Sequence, residues 1–340
     1  MFGQNWVFKR PHFKGQTMTG IENLNPSVFD PQAVDPKTAK FNKKLEELLA
    51  TMPRAYSRTP QEVREDRESG KSWMGPIRRL DEGQDRVVRG LGREVPVRVF
   101  VPDEVHGVYL HMHGGGFVLC HPDHFDEALA ATAKNCKVAV VSVDYRLAPE
   151  HPYPAAADDC ETVAVWMTEN AKSEFGTERL VIGGESAGAN LSVVTLLRMR
   201  DRHGFTGFLG ANLVYGCFDI SMTPSQRNWG ERELIISTRT IEWFNDHYVP
   251  QKEKRTEPDV SPLYADLSNL PPALFTVGTL DPLLDDSLFM HVRWLAAGNP
   301  SELAVYPGGT HVFNMFPTKI AREANKKILH FITETAEESA

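Results

Sequence analysis

From about Asp85 onward, short apolar runs alternate with helical patterns, and this alternation restricts the fold more than any other feature of the chain. Val95, Val97, Val99 and Val101 recur at period two and give a strand one apolar face. Residues 108–112 read as a second strand. Val138–Val143, VAVVSV, is apolar nearly throughout and rich in Val, as expected of a strand covered on both faces. Residues 180–183, 208–214, 273–277 and 303–306 follow as further strands. Helical spacing occupies 126–134, 156–169, 187–200, 284–297 and 320–334. Such a succession predicts βαβ units: an α/β fold with a mainly parallel, twisted sheet flanked by helices.

The alternation breaks once. Residues 216–262 are polar but carry Trp229, Trp243, Phe244 and Tyr248, and they stand between two expected strands. Residues 1–75 differ again: polar, with scattered Pro and one expected helix at 38–52, capped by Thr38 and apolar at Phe41, Leu45, Leu48 and Leu49. The expected division is a core of 76–215 and 263–340, with 1–75 and 216–262 together forming a lid or cap. Phe2, Trp6 and Phe8 lie in a stretch too short for its own core, so they are expected to pack on the insertion. The insertion's aromatics either line a ligand pocket or form the core of the cap.

Composition narrows the function. The 340 residues include 37 basic and 45 acidic ones, a net charge of −8, with no Lys/Arg block, which argues against nucleic acid as a partner. No run of 18 apolar residues exists, so stable membrane insertion is not expected. The start, MFGQNWVFKRPHFKG, lacks the apolar region of a secretory signal. With four scattered cysteines and no CxxC pair, this points to a reducing, cytoplasmic setting.

Chemistry concentrates at a few places. Gly184-Glu185-Ser186-Ala187-Gly188 follows one expected strand and opens an amphipathic helix. A G-x-S-x-G motif in that strand–turn–helix setting places a serine hydroxyl at the C-terminal edge of the sheet, beside a helix N-terminus that favours developing negative charge. Its bland alternative is a Gly-rich turn with a Ser cap. His113-Gly114-Gly115-Gly116-Phe117 follows the strand at 108–112. Its glycines leave backbone N–H groups unobstructed, and those of Gly115, Gly116 and Ala187 make a candidate oxyanion hole. Neither a dinucleotide fingerprint nor a phosphate-binding P-loop is present.

A serine needs a base to take its proton, and the base needs an orienting acid. In this setting the acid and then the histidine come later in the chain, each in a loop after a strand. Asp281 and His311 meet that condition. Asp285 and Asp286 fall in the first turn of the next helix, where they are expected to complement its dipole. His291 and His330 read as packing or surface residues. His111, His113, His121 and His124 cluster in sequence, but no metal-binding spacing supports a site, so no metal or cofactor is expected. His113 is expected to bond neighbouring backbone and steady the glycine loop, with Gly114 and Glu185 as further supports.

These motifs together resemble the hormone-sensitive-lipase-like branch (bacterial family IV) of the α/β-hydrolase fold. HGGGF at 113–117, DYRLAPEHPYPAA at 144–156, GESAGANL at 184–191 and DPLLDDS at 281–287 with His311-Val312-Phe313 occur in the family's order, over roughly 80–335. The resemblance implies a serine carboxylesterase with the triad Ser186, Asp281 and His311 and a helical cap. It further implies short- to medium-chain small-molecule esters as substrates, and it allows a homodimer. Amide or formamide hydrolysis by the same triad, and non-catalytic ligand binding, are the alternatives. Glu185 departs from the Asp or Thr of many relatives. The 144–156 stretch reads as structural, with Arg146 and Glu150 as an expected ion pair.

Overall fold

A computed structural model describes residues 25–337. Two short segments precede the sheet: α1 (Pro36–Ala50) and α2 (Pro60–Glu68). Eight strands follow: β1 (Gln84–Gly90), β2 (Arg93–Phe100), β3 (Gly107–Met112), β4 (Val138–Val143), β5 (Leu180–Glu185), β6 (Phe208–Val214), β7 (Ala273–Leu280) and β8 (Ser301–Thr310). Between and after them lie α3 (Asp126–Cys136), α4 (Ala155–Phe175), α5 (Ala187–His203), α6 (Pro224–Asn228), α7 (Thr238–Tyr248), α8 (Leu284–Ala296) and α9 (Lys319–Ala336).

The strands form one sheet in the order β1-β2-β4-β3-β5-β6-β7-β8. β1–β2 and β2–β4 pair antiparallel, and every later pair is parallel. All six residues of β4 are buried, as a strand covered on both faces requires. One apolar core joins the sheet to α4, α5 and α8, and a second joins its other face to α3 and α9. Parallel pairing carries the C-terminal ends of β3, β5, β7 and β8 to one edge, and the loops leaving that edge hold the motifs.

Several local expectations need correction. β1 has no clean apolar alternation, and with only Val88 buried it reads as polar sequence; sheet pairing to β2 makes it a strand. Val101 lies beyond β2 and is exposed. The cap of α1 is Asp35, not Thr38. Asp35 Oδ1 accepts the N–H groups of Lys37 and Thr38 at 3.0 and 3.1 Å, and Pro36 supplies the first helical position. Within α1, Leu45 and Leu49 are buried while Leu48 faces solvent. Arg146 does not pair with Glu150. Arg146 pairs with Asp159 at 2.8 Å, and Glu150 with Arg64 at 2.9 Å. Arg64 also donates to the carbonyls of Val118 and Ala148, so α2 is fastened to the loop behind the glycines.

The segment before the sheet and the insertion between β6 and β7 meet. Leu45 and Leu49 of α1 cluster with Leu234, flanked by Phe41, Trp73, Trp229 and Phe316. Glu46 and Arg232 pair at 2.9 Å, and the Arg239 guanidinium lies 4.4 Å from the Tyr56 ring centre. Phe2, Trp6 and Phe8 lie outside the described residues.

Candidate active site

Ser186 stands between β5 and α5 with φ 55° and ψ −118°, a conformation that costs a non-glycine residue energy. The turn is held by its N–H, which donates to Val214 O at 2.9 Å. The two flanking glycines are sterically required. A Cβ at Gly184 or Gly188 would lie 2.1 or 1.9 Å from the carbonyl oxygen of Met112, the last residue of β3. The sharp turn thus fits only because bare backbone meets bare backbone.

Parallel pairing brings the other groups to this point. Asp281 follows β7 directly and His311 follows β8 directly. His311 Nε2 lies 3.0 Å from Ser186 Oγ, and His311 Nδ1 lies 2.9 Å from Asp281 Oδ2. Asp281 Oδ1 accepts the Leu283 N–H at 2.9 Å, which fixes the carboxylate plane. Asp281 is 1% exposed and His311 4%, so the chain of hydrogen bonds is shielded from water except at the serine.

The glycine loop lies against the elbow. A Cβ on Gly114 would sit 3.2 Å from Glu185 O and 3.6 Å from the Ser186 Cβ. Gly115 and Gly116 have φ of +123° and +61°. Among the described residues, the backbone N–H groups of Gly115, Gly116 and Ala187 donate to no backbone carbonyl. His113 Nδ1 donates to Gly114 O at 2.7 Å, and its ring stacks on Tyr145 with centres 4.1 Å apart. Tyr145 in turn donates to His113 O at 2.7 Å. Burial pushes the His113 imidazole down to about 3, so it is neutral and its role is structural. Glu185 Oε2 lies 3.0 Å from His111 Nε2, whose other nitrogen meets Ser142 Oγ at 2.8 Å.

Asp285 and Asp286 do occupy the first turn of α8, but they do more than complement its dipole. Asp286 is fully buried and accepts from the N–H groups of Phe218 and Asp219, the Thr223 hydroxyl and the Gln226 amide. Asp285 accepts the Ser225 N–H at 2.8 Å. Both hold the insertion, and neither bonds to His311.

Sequence reasoning missed Tyr215. Its ring meets His311 edge-on with centres 4.9 Å apart, and its hydroxyl donates to Asn314 Oδ1 at 2.6 Å. It thereby walls the imidazole on one side. A tyrosine directly after β6 carries no motif that would have marked it.

A cavity of about 250 Å³ opens above Ser186. Gly115, Gly116 and His311 form its floor, Met52, Arg67 and Trp73 one wall, and Ile235, Ile241 and Phe244 another. Of Trp229, Trp243, Phe244 and Tyr248, only Phe244 lines this space. Tyr248 stacks on Phe117, centres 3.8 Å apart, while Trp229 and Trp243 pack within clusters. The early histidines are separately engaged, His121 with Asp144 and His124 with Glu68. Among the described residues, no three His, Cys, Asp or Glu side chains converge as a metal site.

Residues 109–315 match a family model for the alpha/beta hydrolase fold. The chain is 34% identical over 244 residues to the carboxylic ester hydrolase LipN of Mycobacterium tuberculosis, a match covering 68% of this chain and 64% of that protein's length. It is 30% identical over 246 residues to an ethyl acetate hydrolase of Pseudomonas putida, covering 70% of this chain and 77% of that one. Among solved structures, it is similar to the hyperthermophilic esterase from the archaeon Pyrobaculum calidifontis, with a TM-score of 0.79 and 30% identity over 89% of this chain and 99% of that one. A hormone-sensitive lipase from a metagenome library gives 0.77 and 27% identity, over 89% and 99%. The chain therefore belongs to the hormone-sensitive-lipase-like esterases of the α/β-hydrolase fold. Among the described residues, no helix is long and apolar enough to cross a membrane.

Proposed function

We propose that the protein hydrolyses short- to medium-chain carboxylic esters through an acyl-enzyme on Ser186. The observation that carries this reading is the unbroken run from Ser186 Oγ through His311 to Asp281, set beside three N–H groups that donate to no backbone carbonyl among the described residues. Ser186 Oγ attacks the ester carbonyl while neutral His311 takes its proton at Nε2. Asp281 holds the imidazole tautomer and stabilises the cation that forms. The oxyanion receives hydrogen bonds from Gly115, Gly116 and Ala187 where charge develops. His311 then protonates the departing alcohol. A water molecule, activated by the same imidazole, releases the acid and restores the serine.

A small acyl group suits a cavity of about 250 Å³ whose insertion wall bears Phe244. The named activities of the relatives, an ethyl acetate hydrolase and an acetyl esterase of Salmonella, favour the same range. Residues 1–75 and 216–262 serve as the cap that shapes this space; the Leu45, Leu49 and Leu234 cluster supports that division for the described part.

The test is a series of p-nitrophenyl esters graded from acetyl to palmitoyl, with matched anilides. Acetyl to hexanoyl esters should be preferred and anilides slow. Ser186→Ala should lower kcat by about 10⁴–10⁶, and an organophosphonate should label Ser186 alone. Equal turnover of the anilides, or label on another serine, would overturn the reading.

A further inference from the structure

The cavity wall holds an arginine that pairs with no carboxylate among the described residues. Arg67, on the last turn of α2, is 8% exposed and lines the cavity above Ser186. Its Nη1 donates to Gly75 O at 2.6 Å. Its Nε is buried with no partner, and no carboxylate lies within 4.0 Å of the guanidinium among the described residues. The acids around it are already engaged. Asp66 pairs with Arg58 at 2.6 Å, and Glu68 meets His124 at 2.9 Å. Elsewhere on the wall, Glu233 accepts from Ser237 at 2.6 Å, and Glu185 meets His111. A second wall arginine, Arg54, bonds through its side chain only the Leu49 carbonyl among the described residues, at 3.3 Å.

A guanidinium cannot escape burial by losing its proton, so an unpaired one is costly where it stands. Nε is closed off by the surrounding protein, which leaves Nη2, unbonded among the described residues, as the donor an anion in the cavity can reach. Arg67 lines the same cavity as Gly115, Gly116 and Ser186.

We infer that Arg67 is a specificity-determining anion anchor, and that the substrates for which this site is built are esters bearing a carboxylate on the acyl or the alcohol arm, such as half-esters of short dicarboxylic acids. This rests on the esterase reading above and deepens it. The anchor forms no covalent bond. Hydrolysis consumes one water and releases one proton, giving the dicarboxylate and the alcohol when the charge is on the acyl arm, or the acid and a hydroxycarboxylate when it is on the alcohol arm, while Arg67 holds the remote carboxylate.

The test compares pairs of equal chain length in the unmodified protein. On the acyl arm, p-nitrophenyl hydrogen glutarate is set against p-nitrophenyl valerate. On the alcohol arm, 4-acetoxybenzoate is set against its methyl ester. The anionic member of one pair should have a KM at least about tenfold lower, the factor a charged hydrogen bond supplies, and which pair responds identifies the arm. Arg67→Gln should raise the anionic ester's KM about 10- to 100-fold more than that of its neutral partner. Arg67→Lys should restore part of the preference, and added salt should weaken it. A purely structural arginine would instead lower turnover of both members together.

Calorimetry with free glutarate reads the anchor without turnover, and Arg67→Gln should abolish that binding. No KM advantage on either arm together with no glutarate binding would overturn the proposal. If no member of either pair were turned over, the esterase reading would fall, and the glutarate titration would still decide the anchor.

Discussion

Asp286 Oδ1 accepts the backbone N–H of Phe218 at 2.7 Å, which ties the start of α8 to the first residues of the insertion that runs over the active site. Burial raises the Asp286 carboxyl to about 7, even against four donors.

A folded value above the unfolded one means that folding takes up a proton. The contribution is full below about 3.9, the unfolded value, and is lost as pH rises through about 7. The melting temperature of the unmodified protein relative to Asp286→Asn should therefore fall between pH 4 and 7 and level off above. The amplitude should be on the order of 1–4 kcal/mol. A difference that grows with pH would show the carboxylate to be the favoured form.

Asp281→Asn should reduce kcat about 10⁴-fold, because the amide favours the wrong imidazole tautomer at His311. Asp285→Asn should leave kcat nearly intact and cost about 1 kcal/mol through the Ser225 contact. Steady-state kinetics beside urea unfolding separates the two. A dead Asp285→Asn enzyme with an active Asp281→Asn one would reverse the assignment.

His113 gives the opposite pH dependence. Its folded value, near 3, lies below the unfolded one near 6.5, so its contribution is present above pH 6.5 and declines as pH falls toward 3. His113→Gln should be less stable at neutral pH, from lost stacking on Tyr145, but its stability should fall less steeply between pH 6 and 4. Parallel slopes for the two proteins would exclude His113 as the titrating group.

Phe244 lies so close to the glycine loop that a Cβ on Gly116 would meet its ring at 2.3 Å. Phe244→Ala should open the cavity and raise kcat/KM for octanoyl relative to acetyl esters by about 10- to 100-fold, within the range a hydrophobic pocket discriminates. The ester series reads this directly. An unchanged profile would place the acyl chain elsewhere.

The sequence by itself determined what depends on neighbours along the chain. VAVVSV had to be a doubly covered strand, and β4 is buried at all six positions. A strand, GESAG and an amphipathic helix had to make a sharp turn, and Ser186 occupies it with φ 55°. Chain order then singled out Asp281 and His311, because loops after parallel strands must collect at one sheet edge.

Only the tertiary structure decided which distant groups meet. Arg64 rather than Arg146 takes Glu150, 86 residues away, and Asp286 reaches 68 residues back to Phe218. Tyr215 acquires its place beside His311 from sheet packing, and β1 becomes a strand only by pairing with β2. Arg67 reads in sequence as one more charge on a polar helix, and its isolation on the cavity wall exists only once α2 is folded over the glycine loop. Periodicity and turn chemistry act over a few residues, so they are written in the chain. The cost of burying a charge or an N–H depends on what surrounds it, and that is settled only when the chain closes on itself.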